Sequence, residues 1–525
     1  MQRIRLGRGD KKIYILVLIL MAQVFTMIII GQNKQGFFMD EISTYGLANS
    51  FYEPFNNWTP EYYNQWNSSE YYFSYVETHD ETQFRYDSVY YNQSQDVHPP
   101  LYYYLLHTIC SFFPDQFSKW FGIGLNIACY LVVNILIYCT SRRYFKEEWM
   151  SYIPVLFYGF SIAAASTVML IRMYMLMTMF AMLLLYVHTA YIFKEEILSR
   201  KALALCVITT WLGASTQYFF SYIAFFFAAF TCIFLIIKKQ YKNMIKYGLS
   251  MLGGIISLFI TFPPAYNHVF SGYRGVETIH NLTSLTSKGE NLKEYVYVIL
   301  NQLFVGMCTN LPAVTIAILI LVVIVVACKL IYDSKNYMMG ILLLTTICYF
   351  LMIVFGVSGV VSRHLYPIYP FIAILTVWII ISLITRLREF KSLKVIMSIF
   401  CIVLSFIGYT TKEIEWLYSN GDYATFVAQY NHEIPAIYLA DLGFESSSNY
   451  FELAQYDSSA VVKYGDESII GNLLNAKGNP NQFILYVLND QKGMASVSEI
   501  ASSNGYTQYK KLNAYNGSVC YLVSK

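Results

Sequence analysis

IYILVLILMAQVFTMIIIGQNKQGFFMDE, residues 13–41, contains a membrane crossing followed at once by a pair of acids. Residues 13–31 carry no charged side chain, and at ~1.5 Å per residue a helix over them reaches across most of a ~30 Å hydrocarbon core. Arg3, Arg5, Arg8, Lys11 and Lys12 precede the run in the manner of a signal peptide. No small-residue cleavage site follows Gly31, so the run is expected to stay in place as an anchor. Asp40 and Glu41 then open a long polar loop. Two adjacent carboxylates beside a membrane repel each other and cost free energy unless something uses them.

Working outward, the rest of the chain repeats the apolar pattern. Of 525 residues, 56% are hydrophobic and only 13% charged, against about 25% charged in an ordinary soluble protein. The formal net charge is +3, and no basic block of the kind that holds nucleic acid is present. Further apolar runs fall near 119–140, 150–170, 174–193, 202–216, 217–237, 247–263, 311–331, 338–356, 367–385 and 393–410, which with 13–31 gives about 11 crossings. The stretch 99–114 begins Pro-Pro and ends at a further Pro, and is too short to span; it is expected to be an interfacial or re-entrant helix.

Charge orients these spans. With a cytoplasmic N-terminus, the inside connections hold Arg142, Arg143, Lys146, Lys194, Arg200, Lys201, Lys238, Lys239, Lys242, Lys246, Lys329, Lys335, Arg386, Arg388, Lys391 and Lys394, as the positive-inside rule requires. The expected fold is therefore a polytopic α-helical protein of the plasma membrane. A large first outer loop covers 32–98, the membrane part ends near 410, and a small extracellular α/β domain covers 411–525. Strand-like runs at Ala436 to Ala440 and Gln482 to Leu488, with helix-like runs at Asp466 to Ala476 and Ser496 to Ser503, support that last assignment.

On this topology the ionisable groups near the spans collect on the outer side: Asp40, Glu41, Asp96, His98, Arg172, Arg363 and His364. An ion-coupled transporter normally keeps such groups near mid-depth, and here those depths are nearly empty. A transporter or flippase of a lipid-linked envelope precursor stays as the competing class. A surface carboxylate can take the proton from an attacking hydroxyl or amine, so Asp40 or Glu41 suits a general base, with the other orienting. Arg172 and Arg363 suit a phosphate, although snorkelling to ordinary headgroups would place them equally well. His98, before Pro99-Pro100, can donate to a phosphate oxygen or bind a metal, or simply start a helix. Asp96 is a helix cap or a site residue, and Tyr366 fits an aromatic belt as well as a site.

The acidic pair, then HPPLYYYLLH (98–107), IRMYMLMTMF (171–180) and SRHLYPIYP (362–370), in that order and on one side, resembles the GT-C superfamily of membrane glycosyltransferases. Within it, the bacterial branch similar to protein O-mannosyltransferases and lipid A aminoarabinose transferases is the nearest match. The resemblance covers about 10–410 and does not extend over 411–525. It implies transfer of a sugar from a polyprenyl-phosphate carrier to an acceptor on the outer face of the membrane, with inversion. The acceptor would be a wall polymer, a protein or a lipid. It also implies Asp40 as catalytic base with Glu41 beside it, and His98, Arg172, Arg363 and His364 around the donor phosphate. Asp96, Tyr174 and Tyr366 are further candidate substrate contacts. No Asp-x-Asp metal signature lies around residue 40, so a divalent metal is left open and no other cofactor is expected.

Overall fold

A computed structural model describes residues 8–386 apart from 57–58, 146, 194–197, 284–287 and 307–309. Beyond 386 it describes 392, 395–396, 399–400, 403, 407–409, 413–418, 434–440, 449–488, 491–515 and 518–525. Arg3, Arg5, Lys146, Lys194, Arg388, Lys391, Lys394 and most of the run 393–410 lie outside the described residues.

Among the described residues, 8 helices are long and apolar enough to cross a membrane: Ile13–Gln32, Lys119–Ser141, Tyr174–Ile192, Phe220–Ile237, Tyr241–Thr261, Ala313–Ser334, Tyr337–Gly356 and Ser362–Arg386. Helix is what apolar sequence must adopt in lipid, where no water satisfies backbone N–H and C=O groups. The uninterrupted span expected over 150–170 is corrected to two helices, Glu148–Gly159 and Ile162–Met169, bent by 54°. Ser161 causes the break. Its backbone is extended and its hydroxyl accepts from the Ala164 N–H, so it caps a new helix instead of continuing the old one. The run 202–216 forms Arg200–Ala214, 15 residues long, and 99–114 forms the short helix Leu101–Ser111.

Burial separates the centre of the bundle from its rim. The most apolar window of Tyr174–Ile192 is 78% buried within the protein, that of Ala313–Ser334 only 17%. Lipid covers what the protein leaves exposed on the latter, including Val314, Ile318 and Leu321. Arg172 therefore stands at the mouth of the innermost helix.

Successive crossings alternate, so their ends gather into two groups. At one end Lys119 Nζ donates to the Gln32 carbonyl (3.1 Å) and Asn126 Nδ2 to the Leu170 carbonyl (2.7 Å), and the Leu101 N–H bonds the Ser215 carbonyl (3.1 Å). At the other end lie the basic groups: Arg386 pairs with Asp333 (2.6 Å), Arg142 with Glu148 (3.7 Å), and Lys238 sits over the Tyr337 ring.

The loop 32–98 is largely helical, through Met39–Asn49, Ser69–Val76 and Tyr86–Gln95. It also donates a strand to the C-terminal sheet. Six strands, β1 Trp66–Asn67, β2 Ala436–Ala440, β3 Ser459–Lys463, β4 Gln482–Leu488, β5 Gln508–Tyr515 and β6 Ser518–Ser524, lie in the order β1-β3-β2-β4-β6-β5. β2 runs parallel to β3 and β4, with Ile437 opposite Ala460 and Leu485; the other pairings are antiparallel. Alternate side chains serve alternate faces. Ile437, Leu439, Val462 and Leu485 pack on Ile470, Leu474, Val497 and Ile500 of the covering helices. Tyr438, Val461, Tyr486 and Cys520 turn the other way, into the core that continues through the membrane part. Much of the loop's tyrosine serves this joint: Tyr62, Tyr72 and Tyr75 are buried around Tyr450, with ring centroids 4.9–6.1 Å from it.

His107, on Leu101–Ser111, is 1% exposed, and its Nδ1 lies 3.4 Å from Asn49 Oδ1. Burial pushes its imidazole down to about 4 from the ordinary 6.5. The unfolded chain therefore takes up this proton first on acidification. Stability from this group is whole above pH ~6.5, falls as pH drops toward ~4, and then levels, a loss on the order of 3 kcal/mol. The thermal midpoint in detergent should fall between pH 7 and pH 4.5, and less so in His107→Gln. An equally steep fall in both proteins would rule out His107 as its source.

Candidate active site

Asp40 and Glu41 occupy the first turn of Met39–Asn49, where the helix N-terminus favours acids. One residue apart on a helix, they point about 100° away from each other, and the surroundings use that angle. Asp40 faces the mouth of the bundle. Its Oδ2 lies 3.1 Å from Arg363 Nη2 and 3.9 Å from Arg172 Nη2. Glu41 faces inward and is fully buried. Its Oε2 accepts from Lys34 Nζ (2.9 Å) and the Phe38 N–H (2.7 Å), and its Oε1 from the Ile171 N–H (2.7 Å).

Lys34 is buried as well, and its ammonium also donates to the Trp416 carbonyl (2.5 Å). Burial pushes Lys34 down and Glu41 up, each opposed by the other's charge. With both oxygens engaged and no solvent access, Glu41 braces the stretch of chain beside Arg172.

Arg172 precedes the central helix. Asn126 Nδ2 donates to the Val168 and Leu170 carbonyls (3.0 and 2.7 Å), fixing the turn that presents it. Gly122 lets that turn approach closely, since a Cβ there would meet Ile171 Cγ2 at 2.0 Å. Arg172 Nη1 donates to the Asp40 carbonyl (3.1 Å) and Thr44 Oγ1 (3.0 Å), and Nη2 lies 3.2 Å from His98 Nε2. A guanidinium only donates, so His98 Nε2 accepts, and the proton on Nδ1 goes to Asp96 Oδ2 at 2.7 Å. Burial works to raise Asp96, but its contact with His98 and the charge of Arg172 outweigh it and hold the carboxyl below its ordinary value.

Arg363 lies at the start of Ser362–Arg386, with its guanidinium 5.3 Å from the Phe38 ring centroid. The buried Nε atoms of both Arg172 and Arg363 have no hydrogen-bond partner among the described residues.

The residues singled out in the sequence thus divide. Asp40, Arg172, Arg363, His98 and Asp96 form one continuous polar cluster. His364 packs its ring against Phe219 and Tyr174 (4.9 and 6.0 Å). Tyr174 and Tyr366 are buried. The Tyr366 hydroxyl donates to Glu415 Oε2 and accepts from Trp416 Nε1, both at 2.7 Å. Lys34, Thr44, Glu415 and Trp416 were not anticipated. Thr44 carries a faint signal, four residues after Asp40 and hence on its face of the helix. Among the described residues, no group of three or more His, Cys, Asp or Glu is arranged to hold a metal ion.

A multi-pass helical membrane domain joined to a small sheet domain is a GT-C-like architecture. Crystal structures of ArnT from Cupriavidus metallidurans are similar over nearly the whole chain. The form bound to undecaprenyl phosphate superposes with a TM-score of 0.56 at 10% identity, covering 97% of each chain. The apo form gives 0.55 at 10% identity, covering 98% of each. Residues 97–266 match the family model of dolichyl-phosphate-mannose-protein mannosyltransferases. No curated protein sequence matches the chain.

Proposed function

We propose that the protein is a membrane glycosyltransferase that moves a sugar from a polyprenyl-phosphate carrier to an acceptor on the outer face of the plasma membrane. The observation that carries this reading is the Asp40 carboxylate held between two guanidiniums, 3.1 and 3.9 Å away, whose Nε–H groups have no hydrogen-bond partner among the described residues. The match to a mannosyltransferase family model and the undecaprenyl phosphate bound by ArnT support the same donor class. The basic groups at the opposite end of the bundle support a cytoplasmic N-terminus and an outward-facing site.

The chemistry is a single displacement. The acceptor O–H or N–H gives its proton to Asp40, and the acceptor atom attacks the anomeric carbon. The bond from that carbon to the phosphate oxygen breaks, and the polyprenyl phosphate leaves with the electron pair. Arg363 and Arg172 meet the charge that develops on it. An incoming phosphate competes with Asp40 for Arg363, which frees the carboxylate to accept a proton. His98, backed by Asp96, orients Arg172. Glu41 and Lys34 hold the Asp40 turn and the Arg172 turn together. One-step displacement inverts the anomeric centre.

The test uses membranes supplied with polyprenyl-linked sugars, comparing lipid-linked sugars and surface glycans with and without the protein. A lipid-linked sugar should accumulate, and one glycan should be lost, in its absence. Unchanged profiles would refute the proposal. In the purified protein, Arg363→Lys should weaken undecaprenyl phosphate binding by roughly 1.5–3 kcal/mol, because a point charge replaces a planar fork. Undiminished binding would remove Arg363 as a phosphate contact.

A further inference from the structure

Three turns carry the reactive groups: 34–41 with Asp40, 170–172 with Arg172, and 362–366 with Arg363. They come from distant parts of the chain, and one short segment, 413–418, touches two of them. Glu415 Oε2 accepts from Ser362 Oγ and from Tyr366 Oη, both at 2.7 Å, so it bonds the residues on either side of Arg363. The Trp416 indole donates to the same Tyr366 hydroxyl (2.7 Å), and its carbonyl accepts from Lys34. The Leu417 carbonyl accepts from the Gln35 N–H (2.9 Å). The Trp416 ring lies 5.1 Å from Phe38, on whose face the Arg363 guanidinium rests. The Glu415 N–H is itself anchored on Ser166 Oγ (3.1 Å). Through Lys34 the network reaches Glu41, and through Glu41 the Ile171 N–H beside Arg172.

We propose that Glu415 and Trp416 are positioning residues that clamp the Asp40 turn to the Arg363 turn and so set the spacing between the base and the donor-phosphate site. This rests on the reading of Arg363 as a phosphate contact. A half-buried carboxylate oxygen that accepts hydrogen bonds from two hydroxyls fixes geometry strongly, because each charge-assisted bond is short and directional. The clamp belongs to the stretch just before the sheet domain. The domain's attachment point is therefore built into the site.

The probe is radiolabelled undecaprenyl phosphate, bound by the full-length protein in detergent, with the ligand-free thermal midpoint measured alongside. Glu415→Leu removes both acceptors and should weaken binding about tenfold, while Glu415→Gln, which keeps an acceptor oxygen, should stay within about threefold of wild type. The double variant Glu415→Leu with Arg363→Lys should bind no more than about twofold worse than Arg363→Lys alone, since the clamp acts through Arg363. Wild-type binding by Glu415→Leu, or losses that multiply in the double variant, would overturn the proposal. Should Glu415→Leu prove too unstable to purify, Tyr366→Phe decides. It lacks only the bridging hydroxyl; weakened binding supports the clamp and unchanged binding overturns it. If the wild-type protein itself fails to bind undecaprenyl phosphate, the donor assignment falls first and the clamp with it.

Discussion

Asp40→Asn should abolish sugar transfer while leaving the lipid carrier bound. The two side chains have nearly the same shape, but the amide cannot take the acceptor proton. General-base catalysis contributes about 10²–10⁴-fold, so turnover should fall by roughly three orders of magnitude. Binding should move the other way or not at all. In the wild-type protein Asp40 Oδ2 occupies Arg363 at 3.1 Å and approaches Arg172 at 3.9 Å. Removing that charge leaves both guanidiniums to a phosphate, so undecaprenyl phosphate should bind as tightly as before or more tightly. The split between turnover and binding separates loss of a base from damage to the site. Transfer within about threefold of wild type, at matched expression, would show that another group takes the proton.

The second large effect concerns stability. Glu41→Leu strands the Lys34 ammonium in a fully buried position where, among the described residues, the Trp416 carbonyl is its remaining hydrogen-bond acceptor. Removing one partner of a buried ion pair costs about 3–5 kcal/mol, since the remaining charge is left uncompensated. Adding Lys34→Met to Glu41→Leu should recover much of that loss, as apolar replacement of a buried pair is often near neutral. Recovery should be incomplete, because the Phe38 and Ile171 N–H groups also lose their acceptor. The check is the thermal midpoint of purified protein for the two single variants and the double. Equal midpoints for Glu41→Leu and wild type would mean that the pair contributes nothing. A double variant no better than Glu41→Leu would mean that the backbone bonds, not the stranded charge, dominate.

How much of this was legible in the sequence follows from what each signal depends on. The sidedness of Asp40, Arg172 and Arg363 could be read because it needs only the parity of the crossings and the distribution of Lys and Arg, and both are local counts. The short helix after Pro99-Pro100 was legible too, because its apolar run is too brief for a full crossing. The break at Ser161 was not, because a serine inside an apolar run reads as a tolerated polar residue until its hydroxyl is seen to cap the next helix. In the sheet domain, β2 and β4 match their strand-like runs residue for residue. The contribution of Trp66–Asn67 from the first loop was invisible, because a two-residue strand has no periodicity to detect.

The roles within the cluster could not be assigned from the sequence either. Asp40 and Glu41 are equivalent neighbours in the chain. Only the packing of the Lys34, Ile171 and Phe38 groups turns Glu41 inward and leaves Asp40 at the mouth. Glu415 and Trp416 lie more than 370 residues from Lys34, and their contact is recorded only in three dimensions. The sequence by itself determined that this is a helical membrane protein with acids and arginines on one face, since hydrophobicity and charge act residue by residue against a fixed bilayer. Tertiary structure alone decided which acid faces the guanidiniums and which segment locks them in place. Side-chain direction and long-range contact depend on neighbours brought together by folding, and no linear pattern encodes them.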